Sequence, residues 1–158
     1  MTRSRFSAAC VLLLSILTAG GCGFTSSPAD NLTFKAPAGW PSSPGIMGFM
    51  QFWKAPNGNK EVLMLFKSPK PLQAHDVFNS ANLKDAKVET QKPITICGSQ
   101  PAEFFQAQGT SSQGGNSNIE MVMTNAAGST YLAMYIYPVG GSPNGDAAAA
   151  LRELCSKI

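Results

Sequence analysis

The sequence predicts an α+β domain in which an antiparallel sheet is covered by a helix on each face, an α/β/α sandwich. Strand-like segments outnumber helical ones throughout the chain. Several strands are apolar on both sides: Val62, Met64 and Phe66 oppose Leu63 and Leu65, and Leu132, Met134 and Ile136 oppose Tyr131, Ala133 and Tyr135. A sheet with one wet face would alternate apolar and polar residues, so both faces require cover. Two helical patterns are available to supply it.

The domain is expected over residues 31–158. Residues 32–35 alternate apolar and polar and give a first short strand. Pro and Gly punctuate residues 36–41, which form a turn containing Trp40. Residues 46–54 are the second strand, and Asn57-Gly58 is a hairpin signal because both residues tolerate positive φ. Residues 61–67 are the third strand, stopped by Ser68-Pro69-Lys70-Pro71. A helix over 71–83 follows, with Ala74, Val77, Phe78 and Ala81 on one face.

Residues 87–97, interrupted by Pro93, form one long edge strand or two pieces. Residues 100–108 are the next strand, and 109–118 a Gly/Ser/Asn/Gln loop. Residues 119–124 and 129–137 pair as a hairpin around Asn125-Ala126-Ala127-Gly128. Pro143, Asn144 and Asp146 open a terminal helix with Leu151, Leu154, Cys155 and Ile158 on its apolar stripe.

The N-terminus has another character. Arg3 and Arg5 precede an apolar run over residues 8–17, broken only by Ser15, and Ala19-Gly20-Gly21 follows. The run is too short to span a bilayer, so residues 1–21 read as a secretory signal. Cys22 directly after the small residues resembles the lipobox of bacterial lipoproteins, with Ala19 where the box usually carries Leu. The resemblance implies cleavage before Cys22, a diacylglycerol on its thiol, and an envelope protein anchored in a membrane, facing periplasm or exterior. The alternative is an ordinary secretory signal with Cys22 as a free or paired thiol. Residues 22–30, rich in Ser, Thr and Pro, form a flexible tether.

Removing 21 of 158 residues leaves 137, enough for one domain with its own core. Losing Arg3 and Arg5 takes the net charge from +3 to +1. With no basic stripe, nucleic-acid binding has no support. Of four cysteines, Cys10 leaves with the signal and Cys22 is the lipidation candidate. Cys97 and Cys155 remain, either as two buried thiols or as a disulfide, which export favours. A bridge would destabilise the unfolded chain by about 4 kcal/mol in the loop-entropy model. It would also staple the terminal helix to the sheet.

A strand running into Ala36-Pro37-Ala38-Gly39-Trp40 resembles the opening of PsbP-like domains. So does Ile94-Thr95-Ile96-Cys97-Gly98-Ser99-Gln100-Pro101-Ala102, where that family often places a Gly and a Pro-Ala pair between two strands. The order of strands and helices is similar too, over roughly residues 31–157. Members include photosynthetic oxygen-evolving subunits, DcrB-like bacterial lipoproteins and a nuclear Ran-binding protein. The resemblance implies an accessory or partner-binding role without catalysis, and it transfers no site residues.

Catalytic parts are sparse. His75 is the sole histidine. Its neighbour Asp76 is expected not to face it, because adjacent helix residues point about 100° apart. No Gly-x-Ser-x-Gly elbow occurs. Cys97 and Cys155 lack partners at zinc-ligand spacing, and Gly109, Gly114 and Gly115 do not follow a phosphate-loop pattern. No cofactor is expected. The sharper feature is the strand carrying Met47, Phe49, Met50 and Trp53, read either as core or as an apolar binding surface. Three functions follow: a membrane-tethered accessory module for an envelope partner, a carrier of a small apolar ligand, or a hydrolase using His75.

Overall fold

The structure, a computed structural model, describes residues 32–45, 49–56, 58, 60–80, 83–110 and 115–156. The expected signal segment, the tether with Cys22, Met47 and Ile158 lie outside these residues. The elements run β1 (Leu32–Thr33), β2 (Ser42–Pro44), β3 (Phe49–Lys54), β4 (Val62–Ser68), α1 (Ala74–Ser80), β5 (Lys84–Ile96) and β6 (Gln100–Thr110). Then come β7 (Asn116–Ala126), β8 (Ser129–Pro138), α2 (Gly145–Ala150) and β9 (Cys155–Ser156). A seven-stranded antiparallel sheet has the order β2-β3-β4-β8-β7-β6-β5, and β1 pairs with β9 in a separate ribbon.

β4 and β8 pair in full register near the centre, from Val62 opposite Ile136 to Ser68 opposite Thr130. Their side chains divide as the two-sided apolar pattern requires. Leu63, Leu65, Ala133 and Tyr135 enter one core, and Met64, Phe66, Leu132 and Met134 enter the other.

The α/β/α sandwich is not what forms. α1 has 7 residues and α2 has 6, each roughly 10 Å of helix against a sheet about 30 Å wide. The fold is mostly sheet, and other segments complete its cover. On the first face Leu32, Phe34 and Trp40 pack beside Ala147, Ala150, Leu151 and Leu154. On the second, Val77 and Phe78 of α1 pack with Leu83 and the half-buried Leu72.

The expected terminal helix is correspondingly cut short. Asn144 caps it by accepting the Ala147 N–H at 3.1 Å. After α2 a single 3-10 turn at Leu151–Glu153 leads into β9. Cys155 therefore sits on a strand rather than on a helical stripe. Its bond to Cys97 ties β9 to the β5–β6 turn, with Cα atoms 5.7 Å apart. Likewise the expected helix over 71–83 is helical from Ala74 to Ser80.

Two tight hairpin turns among the described residues use left-handed backbone. Ala127 and Gly128 have φ of 49° and 77° between β7 and β8, and Cys97 and Gly98 have φ of 52° and 83° between β5 and β6. β5 runs unbroken through Pro93 because it is an edge strand, whose outer amides have no ladder partner to lose. Register shifts between Lys84 and Lys87 and between Val88 and Thr90 further interrupt that edge.

Leu132 is wholly buried on β8. Leu132→Ala should cost about 2–5 kcal/mol, read as a lower urea midpoint with an unchanged slope.

Candidate functional site

An open groove of about 490 Å³ lies between α1 and β5, lined by His75, Phe78, Leu83, Asp85 and Val88. A second depression of about 220 Å³ continues it over β6, adding Gln73, Gln91, Glu103 and Phe105 while sharing His75 and Val88. Sheet register sets its floor. Gln91 pairs with Phe105 and Val88 with Ala107, which places these residues on the face beneath α1. Val88 is 40% exposed, unusual for a large apolar residue here.

The α1 wall is fixed at its first turn. The Asp76 carboxylate accepts the Gln73 N–H at 3.2 Å, reaching back over the helix start in the manner of a capping box. Contrary to expectation, Asp76 also meets its neighbour. His75 Nε2 lies 3.1 Å from Asp76 Oδ1. The two Cβ atoms diverge, but the imidazole and carboxylate tips converge in solvent, with side chains 74% and 47% exposed. Among the described residues that line the groove, none carries a hydroxyl or thiol side chain. Among the described residues no cluster of three or more His, Cys, Asp or Glu could hold a metal.

The aromatic strand is distributed differently from a single surface. Phe49 packs against Phe52 and Phe66, both at 5.3 Å between ring centroids. Trp53 packs against Phe34 at 5.2 Å in the opposite core. Residues four apart share a face on a regular strand. Here the register shifts between Phe49 and Gln51. That bulge turns Phe49 and Trp53 to opposite sides and leaves Met50 half-buried against the Trp53 side. Trp40 is buried near Tyr135, with 6.3 Å between rings.

The most elaborate polar arrangement is one that sequence reading missed. Tyr135 is fully buried. Its hydroxyl donates to Glu61 Oε2 at 2.8 Å and accepts the Asn144 N–H at 2.8 Å. Tyr137 stacks on it at 4.9 Å and donates to Glu120 Oε1 at 3.3 Å. Burial pushes both hydroxyls above their ordinary value, opposed for Tyr135 by the Asn144 N–H and reinforced by Glu61. For Tyr137 the negative charge of Glu120 adds to burial. These bonds pin the start of α2 to the sheet. The arrangement thereby holds a segment of the fold in place.

No protein-family model matches the chain, and no curated protein matches it. Among solved structures, the chain is similar to cyanobacterial PsbP (CyanoP) from Synechocystis sp. PCC 6803, with a TM-score of 0.56 and 15% identity. The match covers 79% of this chain and 88% of that one. The fold is PsbP-like. A protein of unknown function from Pseudomonas aeruginosa aligns at 12% identity and a TM-score of 0.46, covering 67% of this chain and 76% of that one. At that score it adds nothing to the PsbP-like assignment.

Both raised tyrosines are protonated in the folded chain where the unfolded chain begins to ionise. Their contribution is therefore complete below pH 10, the ordinary tyrosine value, and is lost as pH rises beyond it. The urea midpoint should fall above pH 10. Tyr135→Phe should flatten that fall while lowering stability at pH 7 by about 1–3 kcal/mol, because Glu61 and the Asn144 N–H lose their partner.

Proposed function

We propose that this chain is a membrane-tethered, non-enzymatic lipoprotein of the bacterial envelope, whose PsbP-like domain serves as an accessory or partner-binding module. The observation that carries the reading is Cys22, placed directly after a basic start, an apolar run and three small residues. The Cys97–Cys155 disulfide supports export, since such bonds persist in oxidising compartments. No helix among the described residues is long and apolar enough to cross a membrane. In this reading acyl chains on Cys22 make the attachment, each buried methylene contributing about 0.8 kcal/mol. The accessory role also draws on the PsbP-like fold and on a groove whose sole histidine is exposed and paired to a capping carboxylate.

A second reading, carriage of a small apolar ligand, draws on Phe78, Leu83, Val88 and Phe105 in the groove. Native mass spectrometry of protein purified from membranes distinguishes the two: a co-purifying small molecule supports carriage, and a bare chain removes it.

Metabolic labelling with palmitate should mark the wild type and leave Cys22→Ala unlabelled. Equal labelling of both would reject the tether.

A further inference from the structure

Both ends of the described chain are fastened at one corner of the sheet. β1 is laddered to β9 through Leu32 with Ser156 and Thr33 with Cys155. β9 in turn is held to the sheet by the Cys97–Cys155 bond and by Gln100. The Gln100 Oε1 accepts the Ser156 N–H at 2.9 Å and the Ser156 hydroxyl at 3.1 Å. A ribbon of two residue pairs is far too short to persist alone. Burial of Leu32 in the first core also seats β1, and the disulfide adds the covalent tie at this corner. Cys97 stands exposed in a tight turn, and Cys155 is half-buried. Exposed disulfides are the ones that exchange readily with external thiols.

The core does not share this dependence. Leu63, Met121, Val122, Leu132 and Met134 are fully buried on β4, β7 and β8. Those strands are joined by continuous ladders that do not pass through β9.

We propose that the Cys97–Cys155 bridge is a reducible clasp, a site of exchange with a dithiol reductant, whose opening frees β1 and β9 while the seven-stranded sheet stays folded. One thiolate of the reductant attacks the Cys97 sulfur, the S–S bond breaks, and Cys155 leaves as a thiolate that takes a proton. The reductant's second thiol then attacks the mixed disulfide, and Cys97 departs and is protonated likewise. The protein gains two electrons and two protons, and the reductant ends as an internal disulfide. Because β1 directly follows the tether, release extends the reach of the domain by roughly 3.5 Å per freed residue. That consequence rests on the proposed anchor at Cys22, whereas the clasp itself does not.

The test uses the mature chain, with dithiothreitol as the probe. Mass analysis follows the opening of the bridge, and hydrogen exchange compares oxidised and reduced protein. Amides of β1 and β9 should lose protection tenfold or more, while those of β4, β7 and β8 stay within about twofold. Cys97→Ser should reproduce the pattern without reductant, and reduction of the wild type gives the same reading on an already folded chain. A bridge that survives millimolar dithiothreitol in the folded protein overturns the proposal. So does equal loss of protection across the sheet, or unchanged protection at the two ends. Failure of the anchor would appear separately, as absent palmitate.

Discussion

Water has to be kept from both faces of β4, β7 and β8, and the remaining architecture follows from that requirement. Each face carries its own buried cluster, and at roughly 25 cal/mol per Å² of apolar surface neither can be left wet. Helices of 7 and 6 residues cannot roof a sheet of seven strands. The chain therefore recruits whatever else lies near. The N-terminal segment lays Leu32, Phe34 and Trp40 across one face, and the C-terminal turn adds Leu151 and Leu154. Loops brought in as cover carry polar backbone groups, which need partners. Thr130 meets that need on one face, accepting the Leu72 N–H at 3.0 Å beside its 2.7 Å bond to Asn125 Oδ1. Gln100 does so on the other face at the same end of the sheet, bonding Thr124 at 2.9 Å as well as Ser156.

What could be read in advance was whatever depends on local pattern. Two-sided apolarity in β4 and β8, the caps around Asn144, and the turn at Ala127-Gly128 are all written within a few residues. Elements set by distant partners were not legible. β9 exists because Thr33 and Cys155 meet across 122 residues, and local helical periodicity cannot report such a pairing. The Tyr135–Glu61 bond spans 74 residues in the same way. The bulge at Met50 was also invisible, and with it the splitting of an aromatic strand between two cores. The contact of His75 with Asp76 shows the opposite error. A rule about Cβ directions was applied to side-chain tips, whose own torsions can bring them together.

The distribution of polar chemistry bears on function. The buried hydroxyls and the half-buried carboxylates that meet them are engaged in positioning segments, and no buried side-chain polar atom among the described residues lacks a hydrogen-bond partner. The exposed groups around α1 form a shallow, mixed groove with an aliphatic residue at its centre.

The outer strand β5 has a bearing on how many copies can share a small area. An unpaired edge of 13 residues would ordinarily invite a neighbouring chain to extend the sheet. Pro93 removes one donor, the two shifts in register break the straight run of amides, and Asp85, Lys87, Glu89 and Lys92 put exposed charges of both signs along the strand. A second chain would thus find little on β5 to extend into a continuous ribbon.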